Sequence, residues 1–195
     1  MQIGIYLYNE AEVLDFSGPF EVFSTANRLA SRAQQTSVYL IAEHLAPVSA
    51  RGGYKVLPHY SIDAHPQLDV VMIVGGMHLD ELNNPKAIQW IKTVSQTATM
   101  VTSVCTGAFL LAEAGILTHH SVTTHWEDIA DLRARYPNLT VEEGVRWVDE
   151  GNIVTSGGIS AGIDMSLHLV SKLIDPELAV NTAKQMEFDW RPREE

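Results

Sequence analysis

The chain has 195 residues, 46% of them hydrophobic, with mean hydropathy near zero, enough for one globular domain (1–195) with a sizeable core. Thirteen Lys and Arg against 24 Asp and Glu leave a formal charge of −11; such a surface repels phosphate backbones and anionic lipid and argues against charge-driven binding of nucleic acid or membranes. One cysteine cannot close an intramolecular disulfide, no apolar run is of bilayer length, and MQIGIYLYNE lacks the basic start and apolar core of a signal peptide, so a reducing, cytoplasmic setting is expected.

QIGIYLY (2–8) reads as an opening strand, rich in β-branched and aromatic residues. NEAEVLDFSG follows as a loop, and Gly18-Pro19 suits the start of a helix over 19–33, with apolar residues at Val22, Ala26, Leu29 and Ala33. SVYLIAEH (37–44) reads as a second strand, and YKVLPHYS (54–61) as an edge strand or hairpin arm, because Pro58 cannot donate to a ladder. LDVVMIVGG (68–76) is nearly all apolar and fits a central parallel strand buried on both faces. Asn84-Pro85 supplies cap and first position for a helix to Ala98. MVTSV (100–104) is another central strand, running into Cys105 and an apolar, helix-forming stretch. Positions 145–158 read as a hairpin and 160–174 as a helix, which Asp175-Pro176 breaks before a last helix over 176–188. Strands and helices alternate over short links, which predicts an α/β fold with a mostly parallel sheet.

In open α/β sheets, sites form beyond the carboxyl ends of the strands. Asp15, Gly75-Gly76 and Cys105 all fall there. A cysteine between a strand and a helix, followed by Thr106 and Gly107, matches the logic of a nucleophile elbow, and the positive end of the helix would favour thiolate. A small buried hydrophobe is the alternative, since free cysteine is commonly buried. Gly75 and Gly76 either make a tight turn or bring N–H groups close enough for half of an oxyanion hole. Asp15, between Leu14 and Phe16, is either a helix cap or a site carboxylate able to move a proton. His125 is a candidate base or orienting group, or else a core histidine. GGISAG (157–162) is either an anion-binding turn or, favoured, a closely packed loop. No set of residues has metal-ligand spacing.

LDFSGPFEVF, IVGGM, SVCTGAFLLAEAGIL, TTHW and SGGISAGID, in this order between about Ile3 and Phe188, resemble the ThiJ/PfpI superfamily, and most closely its isonitrile hydratase branch. The resemblance implies a flavodoxin-like three-layer sandwich with a nucleophile elbow at Cys105, commonly a homodimer. It implies hydration of small isonitriles to N-formamides by Cys105, Asp15 and Thr106, with backbone support from Gly75, Gly76 and Gly107 and no cofactor or metal. Protease-like members place histidine after the cysteine. Thr106 stands there instead, which argues against peptidase activity, and Val74 replaces a common proline before the glycine pair. TTHW also resembles the sensor half of AraC-type regulators; from a sequence ending at Glu195, their DNA-reading half is not expected. Amidase-like or glyoxalase-like chemistry, with His125 as base, and ligand or redox sensing remain alternative readings. The role of MEFDWRPREE (186–195) is open between closing a partner's site and fraying.

Overall fold

The computed structural model describes residues 1–191. In chain order it comprises β1 (Gln2–Tyr6), α1 (Val13–Leu29), β2 (Ser37–Ala42), β3 (Val48–Ser49), β4 (Lys55–Val56), β5 (Tyr60–Ser61), β6 (Val70–Ile73), α2 (Leu79–Leu82), α3 (Pro85–Ser95), β7 (Met100–Val104), α4 (Gly107–Glu113), β8 (Ser121–Val122), α5 (Ile129–Arg135), β9 (Thr140–Val141), β10 (Trp147–Asp149), β11 (Ile153–Ser156), α6 (Ala161–Leu173) and α7 (Pro176–Gln185). Seven strands make one sheet in the order β10-β11-β7-β6-β1-β2-β5, with every pair parallel except β10 against β11. α1, α6 and α7 pack together on one face; α2, α3 and α4 pack together on the other. This is the three-layer, flavodoxin-like arrangement. Every residue of β6 and β7 is buried, which is why β6 reads as an unbroken apolar run and β7, with Thr102 and Ser103 inside it, shows no polar–apolar alternation.

The 145–158 hairpin forms as β10 and β11. Asn84 caps α3 through the N–H groups of Lys86 and Ala87, and Asp175 caps α7 through that of Leu178. The 54–61 stretch splits around Pro58: β4 pairs with β3 in a small separate hairpin, and β5 lies at the edge of the main sheet.

The first helix departs from expectation. It begins at Val13, not at Gly18-Pro19, and carries Pro19 in its interior. An interior proline forfeits one helical hydrogen bond and crowds the preceding turn. Burial of Phe16, Val22, Phe23 and Ala26 against the core outweighs that local cost. The shift places Asp15 in the first helical turn, at the carboxyl edge of the sheet. Residues 192–195, the end of the segment whose role the sequence leaves open, lie outside the described residues.

Candidate functional site

β7, β6 and β1 are neighbours in the sheet, so the segments that leave their carboxyl ends meet. They deliver Cys105-Thr106, Gly75-Gly76 and, across the 7–12 loop, Asp15. Two cross-links hold these segments in place: Ala11 bridges to Gly76, and the Glu12 N–H donates to the Gly75 carbonyl (2.9 Å).

Cys105 leaves β7 in the left-handed region, φ +56°. For a residue with a Cβ this costs about 1–2 kcal/mol and needs outside support. Its N–H is shared between the carbonyls of Ser156 (3.2 Å) and Gly157 (3.3 Å), and its carbonyl accepts the Thr124 hydroxyl (2.8 Å). A Cβ at Gly107 would collide with the Ile73 carbonyl oxygen, so glycine alone lets α4 start this close to β6. The result is an abrupt strand–turn–helix junction with the cysteine at its corner, 7% exposed.

The thiol is not held as thiolate by the helix, as the sequence suggests. Burial pushes its pKa well up and the charge of Asp15 adds to this, while the N–H and hydroxyl of Thr106 pull the other way. α4 has only seven residues, and burial outweighs its dipole.

Asp15 is fully buried. It caps no helix: Oδ2 accepts the Gly75 N–H (3.1 Å) and Oδ1 accepts the Ile159 N–H (3.0 Å), from two other parts of the chain. Burial raises its pKa to about 7; the bonds from Ile159 and Gly75 oppose that rise, Glu12 reinforces it, and the hydrogen bond from the Cys105 thiol opposes it. A carboxyl whose pKa lies near neutrality beside a thiol has the chemistry to take up or give up a proton at ordinary pH.

The N–H groups of Gly75 and Gly76 do not face open space. Gly75 holds Asp15, and Gly76 donates to the Thr106 hydroxyl (3.0 Å), which donates back to the Gly76 carbonyl (3.1 Å). Gly76 adopts φ +142°, and a Cβ there would run into the backbone of Glu10, Ala11 and Glu12. The glycine pair therefore orients the acid and the hydroxyl. The N–H of Thr106 faces the sulfur, and that of Gly107, first in α4, has no intrahelical acceptor.

His125 comes to the same place. A Cβ added at Gly158 would lie 3.0 Å from Cys105 Sγ and collide with the His125 ring, so thiol and imidazole border one small volume. His125 Nδ1 lies 3.5 Å from Asp128 Oδ2 and 3.9 Å from Glu127 Oε2.

Three neighbours stand beside the expected site residues without being expected there themselves. Ile159, in the GGISAG turn, holds φ +55°, an outlier for a β-branched residue, and its N–H fixes Asp15. Thr124 locks the cysteine carbonyl. Tyr8 places a buried hydroxyl near Glu81, Asp15, Cys105 and Thr106; burial first, then Glu81, Asp15 and Cys105, push its pKa well up against an opposing pull from Thr106, so it stays protonated. The GGISAG turn is a closely packed loop against the cysteine. Among the described residues, no three His, Cys, Asp or Glu side chains are grouped to hold a metal, and no helix is long and apolar enough to cross a membrane.

The model of the DJ-1/PfpI family matches residues 1–172. Isonitrile hydratase of Pseudomonas putida is 32% identical over 193 residues, covering 98% of this chain and 80% of that protein. The transcriptional regulator CdhR of Pseudomonas aeruginosa is 29% identical over 184 residues, 94% of this chain but 54% of the regulator, so the chain spans about half of that relative. The crystal structure of a ThiJ/PfpI family protein from Pseudomonas syringae superposes with a TM-score of 0.86 at 26% identity, over 99% of this chain and 77% of that one. Fold, sequence and coverage agree: this chain belongs to the DJ-1/PfpI family.

Proposed function

We propose that the protein hydrates small isonitriles to N-formamides, with Cys105 as covalent nucleophile and Asp15 as proton carrier. The observation that carries this reading is the buried Asp15, fixed by two N–H groups and close enough to the Cys105 thiol for each to shift the other's titration. Identity with isonitrile hydratase over nearly the whole chain supports the substrate class.

The Cys105–Asp15 pair shares one proton in its active form. Sγ bonds to the terminal isonitrile carbon as Asp15 delivers that proton to the same carbon, leaving a thioimidate and a carboxylate. Asp15 then takes a proton from water as the oxygen adds to the carbon, and passes it to the nitrogen. Finally the new hydroxyl returns a proton to Asp15, the C–S bond breaks, and formamide leaves with the pair restored. A raised thiol pKa is compatible with this route, because the departing proton needs only the adjacent carboxylate. The Thr106 and Gly107 N–H groups steady the covalent intermediate, and the Thr106 hydroxyl, bonded both ways to Gly76, holds that segment in place. The thiol supplies the covalent step, so the route calls on no metal or organic cofactor.

Two other readings have support. His125 against Asp128 beside the thiol suits Cys/His chemistry of the amidase or glyoxalase kind. The regulator relatives suit a small-molecule sensor. Steady-state kinetics with cyclohexyl isocyanide separate them. Asp15→Asn is expected to lose at least about a hundredfold in kcat, within the range for a lost proton carrier, with His125→Ala within about threefold of wild type. The reverse order would favour the Cys/His reading, and stoichiometric binding without turnover would favour the sensor.

A further inference from the structure

A left-handed φ of +56° is costly for a residue with a Cβ, and Cys105 keeps it only because its surroundings fix the backbone on both sides. On the amide side the support is main chain: the Cys105 N–H meets the Ser156 and Gly157 carbonyls at the end of β11. On the carbonyl side the short bond comes from a side chain, the Thr124 hydroxyl at 2.8 Å. The Ala108 N–H reaches the same oxygen from 3.4 Å. The two sides form one clamp, since a Cβ at Gly157 would lie 3.8 Å from the Thr124 carbonyl oxygen.

Thr124 is buried in a segment anchored independently of the cysteine. The hydroxyl of its neighbour Thr123, equally buried, donates to the Glu142 carbonyl (2.9 Å), and the Thr123 N–H donates to the Thr155 hydroxyl (2.9 Å). Thr124 can therefore brace the corner rather than follow it, and its β-branch restricts the directions its hydroxyl can take. Asp15 is fixed separately, by the Gly75 and Ile159 N–H groups. A corner that relaxed out of the left-handed region would swing the sulfur away from an acid that stays in place.

We propose that Thr124 is a positioning residue: its hydroxyl holds the Cys105 carbonyl, and through it the left-handed corner that aims the sulfur at Asp15. The inference deepens the hydratase reading, and rests on it for the kinetic arm of its test.

Thr124→Val keeps the shape and removes the donor, and Thr124→Ser keeps the donor. Thr123→Val removes an equally buried hydroxyl whose bond goes to Glu142 instead. With cyclohexyl isocyanide, Thr124→Val is expected to lose about a hundredfold in kcat at little-changed KM, the scale of a misplaced reacting group. Thr124→Ser and Thr123→Val are expected to stay near wild type. Equal losses in the two valine variants, or no loss in Thr124→Val, overturn the assignment. Should Thr124→Val not fold, Thr124→Ala against Thr123→Ala carries the same comparison. The single cysteine of the chain gives a readout that needs no turnover, its one S–H infrared band. Burial keeps the thiol protonated, so the band is expected to shift between pH 5 and 9 in wild type as Asp15 titrates near pH 7, and to stay fixed in Thr124→Val as in Asp15→Asn. A band that still shifts in Thr124→Val overturns the assignment, and so does one that stays fixed in wild type. A shift lost in Thr124→Val, with no turnover in the intact protein, would overturn the hydratase reading and leave the positioning role standing.

Discussion

Asp15 concentrates the electrostatic cost of the site in one side chain. Its pKa rises from 3.8 to about 7, chiefly by burial. Below about pH 4 the carboxyl is protonated in folded and unfolded chains alike and contributes nothing to pH dependence. Between about 4 and 7 the folded chain holds a proton that the unfolded chain has released, so stability falls as pH rises through this window. Denaturant unfolding from pH 4 to 8 is therefore expected to show wild type losing on the order of a few kcal/mol relative to Asp15→Asn. Parallel curves would contradict the burial argument. Glu81, whose pKa is also raised by burial, is present in both proteins and cancels. At this scale the side chains that meet at the candidate site were legible: a lone cysteine after a buried strand, and an acid between Leu14 and Phe16. Their supports were not. Ile159, Gly75 and Gly76 act through backbone N–H groups, and nothing in a side chain announces which carbonyl or carboxylate a backbone donor will meet.

At the scale of elements, the position of α4 decides whether the cysteine corner exists. Gly107 sits where a Cβ would strike the Ile73 carbonyl, a rigid backbone atom. Gly107→Ala must push α4 away from β6, and is expected to cost about 1–3 kcal/mol, the range for overpacking a tight core, read as a lower urea midpoint at unchanged slope. Wild-type stability would mean that the helix can shift freely. β6 was readable because burial on both faces leaves a continuous apolar run, and α3 and α7 because Asn84-Pro85 and Asp175-Pro176 are local signals. The start of α1 was not, because Pro19 reads as a first-turn proline. The packing of Phe16 and Phe23, which holds the earlier turn in place, is tertiary.

At the scale of the whole molecule, the strand order β7-β6-β1 brings three loops to one edge, and function follows from that topology more than from any single motif. The fold class was legible from alternation alone. The convergence of Asp15, Cys105 and His125, distant in sequence, needed the sheet. Net charge of −11 says only what the surface repels. The central claim is that Cys105 forms a covalent bond with the isonitrile carbon and is released. Intact-mass analysis of the protein, acid-quenched during turnover of cyclohexyl isocyanide, tests it most directly. An adduct of one substrate mass, mapped to Cys105, lost once substrate is consumed and accompanied by many equivalents of formamide, is the predicted result. Formamide production with an unmodified Cys105 throughout, or undiminished turnover in Cys105→Ser, would contradict it.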